Sequence, residues 1–386
     1  MISRQIKNKL LEFLSYYPII TVTGPRQSGK TTLIKSTFSK MKYFSLEDPD
    51  VRQRALEDPK TFLDTKDGLI LDEIQKAPKL FSYIQTIVDN NDKRKFVLSG
   101  SQNFLLLQKI SQTLAGRTAI FQLLPLSLEE LKPTKYKIKN IYKYIFDGSY
   151  PRLYKNKIPT AKFYTDYIQT YIQRDVRDIL NIENLNRFQL FIQLCAGRIG
   201  QLLNLNSLAS DAGITFNTAK SWLSVLETSY ILYTLQPHHK NFKKRLVKSP
   251  KLYFYDTGIA CNLLNIKTKE ELETHYIRGN MFENFVINEL IKNKHNNAEQ
   301  LNFNFWRDNY GKEIDLTINI ADELVLLEIK SSATYKQEYF KNIIYLNKIS
   351  ETDNTNNYLV YSGNDSYKVK DGNLVSWNDL GKIPLH

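Results

Sequence analysis

The residues with the most chemistry in their spacing are Gly24-Pro25-Arg26-Gln27-Ser28-Gly29-Lys30-Thr31, a glycine and a Gly-Lys-Thr separated by four positions. Such glycines let backbone N–H groups converge on phosphate oxygens, and a following helix N-terminus adds partial positive charge. Lys30 would reach the β- and γ-phosphates, and the Thr31 hydroxyl would ligate Mg2+. Thr32 joins the same nucleotide-facing set. The partner such a loop requires is an acid ending an apolar strand, and Leu69-Ile70-Leu71-Asp72-Glu73 supplies it. Asp72 would hold the Mg2+ through water, and Glu73 would polarise the attacking water. Ser99 and Ser101, at the end of an apolar run from Phe96, are candidates either for positioning that water or for capping the next helix. ATP and Mg2+ are the cofactors this set calls for.

A second set lies in the last third of the chain. Glu328 and Lys330 are two apart in Leu324-Val325-Leu326-Leu327-Glu328-Ile329-Lys330, so on a strand both point to one face. Asp315, in the alternating run Glu313-Ile314-Asp315-Leu316-Thr317-Ile318, precedes Glu328 by enough residues to sit across a ladder from it. Two carboxylates and a lysine gathered in this way meet the needs of metal-assisted phosphodiester hydrolysis. Asp315 and Glu328 would bind Mg2+, Lys330 would orient or deprotonate water, and Glu283 would complete the cage from a helix. The plainer alternatives are a hairpin with a surface Glu and Lys, or a nuclease-like fold that binds DNA without cutting it.

A third set is basic. Leu208-Ala209-Ser210-Asp211-Ala212-Gly213-Ile214, followed by Thr215 to Glu227, has the pattern of a helix-turn-helix, with Thr215 or Asn217 capping the second helix. Ala219, Trp222, Leu223 and Leu226 form its apolar stripe and leave Asn217 and Lys220 outward, where they would approach DNA. Residues 236–255 then hold Lys240, Lys243, Lys244, Arg245, Lys248 and Lys251 with no acid. A winged helix would place such a hairpin against phosphates, through Lys243, Lys244 and Arg245 above all. Winged helices also serve as protein-binding modules or lids. The pair His238 and His239 lacks nearby Cys or acidic partners and reads as solvated wing residues.

These sets need elements to hold them. Strands are expected at Ile19–Thr23, Tyr43–Leu46, Gly68–Asp72, Lys95–Ser99 and Ala119–Leu123, alternating with helices such as Thr31–Ser39 and Pro78–Asp89. That alternation implies a parallel sheet with helices on both faces. It stops near Leu131. Longer helical patterns follow to about Leu235, and from about Tyr276 the order is helix, three strands, helix, strand. The expected organisation is a multidomain α/β chain. It comprises a P-loop domain over residues 1–130, a basic helical linker or lid over 131–199, a winged helix over 200–265 and an α/β domain over 270–386.

The three strand ends of the first domain resemble those of AAA-superfamily ATPases, in which the catalytic Glu lies on a strand separated from the loop strand by another. Leu114-Ala115-Gly116-Arg117, Leu124-Pro125-Leu126-Ser127, Gly148-Ser149-Tyr150-Pro151-Arg152 and Tyr171-Ile172-Gln173-Arg174-Asp175 extend the resemblance to a prokaryotic AAA family with a second, poorly characterised domain. The resemblance implies that Arg117 senses or stabilises the γ-phosphate, in cis or from a neighbouring copy. The element order of the last third, with Asp315 and Glu328-Ile329-Lys330, resembles the PD-(D/E)XK nuclease fold, although Ile314 stands where that pattern has Pro.

Composition narrows the partners. The chain has 386 residues, with 53 Lys plus Arg against 40 Asp plus Glu, for a net charge of +13. Nine basic residues and only Asp147 as acid fall in residues 132–162; with the six of 236–255 they exceed the whole net excess. Charge concentrated there favours DNA as partner over a membrane surface. No apolar run approaches the ~18 residues of a membrane span. Two cysteines, Cys195 and Cys261, offer neither a disulfide framework nor a thiolate cluster, so a reducing cytoplasm is expected. The favoured expectation is an ATP-hydrolysing, DNA-associated protein, as monomer or homo-oligomer, with a metal-dependent nuclease module. The alternatives are a nucleotide-dependent switch that binds protein partners, and a plain nuclease with a vestigial ATPase.

Overall fold

The computed structural model describes residues 2–385 apart from 66–67, 92, 102–109, 111, 171–183, 239–246, 321–322, 352 and 354. The described chain forms two compact units. The first comprises residues 1–126 with the short segments Thr228–Tyr230 and His295–Ala298; the second holds the remainder. Both cysteines are buried and free.

The first unit is built on five parallel strands: β1 (Ile19–Thr23), β2 (Lys42–Ser45), β3 (Leu69–Asp72), β4 (Phe96–Ser99) and β5 (Thr118–Gln122). Their spatial order is β2-β3-β4-β1-β5. Within a strand the side chains alternate between two cores, so Ile19, Leu69, Leu71, Phe96 and Leu98 face helix Leu80–Asn90. Ile20, Val22, Ile70 and Val97 face the opposite way, toward Leu33 and Ile34 of helix Lys30–Thr37. The expected parallel sheet covered on both faces is therefore present. Because all strands run the same way, Gly24, Asp72 and Ser99 emerge at one edge, with Asp72 beside Ser99 in register and Ser99 beside Val22. The strand bearing Asp72 is separated from the loop strand by β4.

The second unit carries an eight-stranded mixed sheet, ordered β12-β13-β11-β10-β9-β8-β6-β7. Its strands are β6 (Leu232–Pro237), β7 (Lys251–Phe254), β8 (Asn302–Arg307), β9 (Glu313–Ile320), β10 (Glu323–Lys330), β11 (Asn357–Tyr361), β12 (Tyr367–Val369) and β13 (Gly372–Ser376). Helix Arg278–Asn296 precedes β8, and helix Lys341–Ser350 lies between β10 and β11. The expected order of helix, three strands, helix and strand is thus present. Two features differ from the linear reading. The antiparallel hairpin β6–β7 is not a separate module, because β6 pairs in parallel with β8 and joins the C-terminal sheet. Two further strands, β12 and β13, extend the other edge.

The motif Gly148-Ser149-Tyr150-Pro151 has a packing explanation. Asp256 accepts hydrogen bonds from the Ser149 amide and hydroxyl, both 2.8 Å, and from the Tyr164 hydroxyl at 2.6 Å. Gly148 has φ +69°, and a Cβ there would lie 1.8 Å from the Tyr164 oxygen. Only glycine fits. Helix Leu205–Asp211 is capped by Asn204 and ends before Gly213 at φ +65°. Of the two expected caps for helix Phe216–Thr228, Thr215 does the work: its hydroxyl accepts from the Thr218 amide at 3.1 Å.

Candidate functional site

The phosphate-binding loop sits between β1 and helix Lys30–Thr37. Gly24 adopts φ +143°, and a Cβ would come within 2.3 Å of the Leu123 carbonyl oxygen. Gly29, at φ +97°, turns the chain into the helix, and Gln27 also lies at positive φ. The Lys30 ammonium donates to the carbonyls of Gly24 and Pro25, at 2.9 and 2.8 Å. Burial lowers its pKa to about 8, against the opposing pull of Glu73 and Asp72. A phosphate would give this ammonium a further anionic partner. Thr32 follows Thr31 on the same helix.

Asp72 is the hub of the site. Its Oδ2 accepts from the Thr31 hydroxyl at 2.7 Å and from the Tyr43 hydroxyl at 2.9 Å, while its Oδ1 accepts from the Ser99 hydroxyl. Hydroxyl and carboxylate oxygens side by side are the hard donors that Mg2+ prefers, so the residues present fit that ion. Glu73, with φ +55°, accepts from the Gln75 amide and, at 3.3 Å, from the Ser101 hydroxyl. Ser101 therefore stands next to Glu73. Ser99 instead holds Asp72.

Three residues of this unit carried no sequence signal. Arg4, almost fully buried, donates to the Ser28 carbonyl at 2.8 Å and to the Leu124 carbonyl at 2.6 Å, pinning the loop to the chain after β5. The Tyr230 hydroxyl lies 3.0 Å from Thr23 Oγ1, just before the loop. Tyr43 braces Asp72 from β2. Each is a side chain brought in from a distant stretch, and three of the four contacts are to backbone or to a non-motif residue. Only an eye for far-off partners would find them.

Arg117 requires a correction. It immediately precedes β5, and its carbonyl accepts from the Ile19 amide at the start of β1. It thus lies at the sheet edge opposite the loop, roughly 15 Å away at about 3.3 Å per strand residue. Its guanidinium donates to Asp89, with Nη2 to Oδ2 at 2.8 Å. It does not reach the phosphates of its own site.

In the second unit, Asp315 on β9 and Glu328 and Lys330 on β10 come together as the spacing implies. The Lys330 ammonium lies 3.3 Å from Asp315 Oδ2 and 2.5 Å from Glu328 Oε2. The Ile329 amide donates to Asp315 Oδ2 at 2.7 Å, and the Asn342 amide reaches Glu328 Oε1 at 3.3 Å. Burial pushes Glu328 up to about 8, reinforced by the charge of Asp315. Burial acts on Asp315 in the same sense, but the Lys330 and Lys251 ammoniums outweigh it and hold that carboxyl below its usual range. Two carboxylate oxygens converging on one ammonium fit a cation at that point.

The three-carboxylate cage is not assembled. Among the described residues no group of three or more His, Cys, Asp or Glu gathers at metal-holding distance. Glu283 is taken by other partners: its Oε1 accepts from the Tyr253 hydroxyl and lies 3.0 Å from the Lys251 ammonium. Lys251 also pairs with Glu313, whose other oxygen meets Arg307 at 3.0 Å. At 2% exposure Lys251 is not a wing residue facing phosphates. His238 is buried rather than solvated.

Asn217 and Lys220 are exposed on helix Phe216–Thr228, opposite its buried Ala219, Trp222, Leu223 and Leu226. Lys243, Lys244, Arg245, His239 and the motif Tyr171-Ile172-Gln173-Arg174-Asp175 lie outside the described residues. No described helix is long and apolar enough to cross a membrane.

Residues 16–132 match the family model of an AAA domain, so the N-terminal part of the chain is an AAA-type ATPase. Residues 138–270 and 278–380 match two families described as domains of unknown function, DUF8612 and DUF4143. An uncharacterised protein of Mycobacterium tuberculosis is 28% identical over 338 residues, covering 86% of this chain and 74% of the relative. An uncharacterised protein of Mycobacterium bovis matches to the same extent. Among solved structures, the chain is similar to a Walker-type ATPase of Pyrococcus abyssi, with 15% identity and a TM-score of 0.47 over 68% of this chain and 96% of that one. It is also similar to AMPPCP-bound DnaA from Aquifex aeolicus, with 16% identity and a TM-score of 0.31 over 57% and 85%.

Proposed function

We propose that this AAA-type ATPase is a DNA-associated protein whose second unit combines a winged helix with a PD-(D/E)XK-like nuclease site. In the first unit Lys30 and the loop amides would hold the phosphates, with Thr31 and Asp72 on Mg2+. Glu73, with Ser101 beside it, would take the proton of the attacking water. The nucleic-acid half rests on one observation: Asp315 and Glu328, on neighbouring strands, aim carboxylate oxygens at the single Lys330 ammonium. Asp315 and Glu328 would hold a divalent cation, which supplies Lewis-acid polarisation of a phosphate oxygen. Lys330 would then orient the water. Asn217 and Lys220, with Lys243, Lys244 and Arg245, would grip the duplex.

The test is one matrix of wild type, Glu73→Gln and Lys330→Ala, each assayed for ATP hydrolysis and for Mg2+- or Mn2+-dependent DNA cleavage. Glu73→Gln should lose hydrolysis and keep cleavage competence; Lys330→Ala should do the reverse. If neither activity falls in its matching variant, the site assignments are wrong.

A second reading draws on the ion pairs around Lys251, which commit Glu283 and Glu313 to partners within the protein. In it the cluster is a structural knot, and the chain is a nucleotide-dependent switch that binds protein partners without cutting DNA. DNA affinity that ignores salt would favour the switch.

A further inference from the structure

Lys251 has no place in the reading above, yet it is among the most buried charged side chains of the protein. It arrives on β7, the edge strand of the hairpin that follows helix Phe216–Thr228. Its ammonium lies 3.0 Å from Glu283 Oε1, pairs with Glu313, and sits 5.5 Å from the centre of the Phe305 ring. Asp315 adds a further favourable charge. A buried lysine is costly unless it is paired, and here two carboxylates pair it.

The charges of the whole cluster can be set against one another. The acids are Glu283, Glu313, Asp315 and Glu328; the cations are Lys251, Lys330 and Arg307, the last on Glu313. Counted as ionised, they leave one negative charge. The direct ion pairs also divide, although Asp315 feels both ammoniums. Lys330 serves Asp315 and Glu328, whereas Lys251 serves Glu283 and Glu313. Two-metal phosphodiester sites instead present shared carboxylates to a pair of ions about 4 Å apart.

We propose that Lys251 is the resident second cation of this site, so that its carboxylates accept one divalent ion, at Asp315 and Glu328, and not two. This rests on the nuclease-like reading of the second unit. Glu283 is then a partner for Lys251 and not a metal ligand. The ammonium, fixed and non-exchangeable, would do by charge what a second ion does in a two-metal site, and the number of ions bound becomes a property of β7.

Mn2+ binding to the full-length, nucleotide-free protein tests this without any cleavage assay. The Asp72→Asn background removes the phosphate-loop site, and free Mn2+ is read by electron paramagnetic resonance. One ion should bind per chain, and Glu328→Gln should abolish it. Lys251→Met, which keeps most of the length of the side chain and loses its charge, should raise the count to two. Lys251→Met combined with Glu283→Gln, which leaves no buried carboxylate unpaired at that position, should return it to one. Circular dichroism confirms that each variant is folded. Two ions in the parent protein, or one ion in folded Lys251→Met, overturns the proposal while leaving the metal site standing. No ion in the parent protein overturns the metal reading itself, and this proposal with it.

Discussion

The hydroxyl of Thr31 donates a 2.7 Å hydrogen bond to Oδ2 of Asp72, joining the helix after the phosphate loop to a strand two places away in the sheet. These are the two oxygen donors that Mg2+ would draw together. Thr31→Val removes one and keeps the shape; Asp72→Asn removes the charge of the other. Each should lower Mg2+-dependent ATP hydrolysis by about 10²-fold or more, since the ion's charge stabilisation is worth several kcal/mol. Metal-free nucleotide binding, followed with a fluorescent analogue, should change only a few-fold. A variant that hydrolyses normally would remove that residue from the metal site.

Tyr43 braces that carboxylate from β2. Burial and the adjacent Asp72 push its phenol up to about 12, so it remains a donor throughout the neutral range. Tyr43→Phe deletes the 2.9 Å hydrogen bond to Asp72 and keeps the ring. A hydrogen bond to a charged group contributes about 1.5–3 kcal/mol, which sets the largest loss of hydrolysis at roughly 10²-fold. The loss should appear in kcat, with the KM for ATP nearly constant, because Tyr43 holds the metal-side acid and not the nucleotide. Equal changes in both constants, or none, would contradict this role.

Much of this was legible in the chain. The five strands of the first unit were visible because each is a short apolar run, four of them ended by Gly, Asp or Ser and the last running to Gln122 ahead of Pro125. Parallel strands also place those endings at one edge automatically. Asp315, Glu328 and Lys330 were legible for a related reason, that a strand's period of two decides which residues share a face. Arg4 and Tyr230 were not, because no local period predicts which backbone carbonyl or hydroxyl a distant side chain meets. Lys251 shows the converse failure. It belongs to a run of basic residues, and composition cannot distinguish a lysine facing solvent from one folded back onto Glu283 and Glu313. The hairpin β6–β7 could not be assigned to the C-terminal sheet either, since its parallel pairing with β8 joins segments far apart in sequence.

Arg117 yields a prediction of opposite sense. Its contacts are with Asp89, at the sheet edge away from the loop. Arg117→Ala should leave hydrolysis within about twofold in dilute, monomeric protein, since an exposed, solvent-screened pair at the far edge touches no phosphate. If a neighbouring copy supplies this guanidinium, the defect should emerge only as the protein concentration rises. Loss of activity in dilute protein would contradict the geometry.

The buried thiols should be silent in the folded protein. Burial pushes Cys195 up to about 12 from an ordinary 9.0, and raises Cys261 as well. Neither should react with a thiol-specific reagent until denaturant is added, when both should. The sign of the linkage follows from the same shift. Below pH 9 the Cys195 thiol is protonated whether folded or unfolded and contributes no pH dependence. Between about 9 and about 12 the unfolded thiol loses its proton and the folded one keeps it, so stability falls as pH rises, by on the order of 1 kcal/mol per unit. Denaturant titrations of wild type and Cys195→Ala across that window should show a shallower decline in the variant.

Lys220 offers the test that separates DNA binding from protein binding. It is exposed on the face of helix Phe216–Thr228 opposite the buried Trp222 and Leu226, so replacing it disturbs no packing. If that face meets phosphates, each neutralised phosphate releases counterions, and log affinity falls linearly with log salt. With roughly 6–10 such contacts, affinity for a fluorescent duplex should drop about 10³–10⁵-fold between about 50 and about 200 mM salt. Lys220→Ala should weaken binding similarly for every duplex sequence and reduce the slope by about one. Asn217→Ala, which removes no charge, should leave the slope unchanged; a sequence-dependent loss of affinity there would mark Asn217 as touching a base edge and not the backbone. A slope near zero in wild type removes the electrostatic basis for DNA binding and leaves the outer face of this helix to a protein partner.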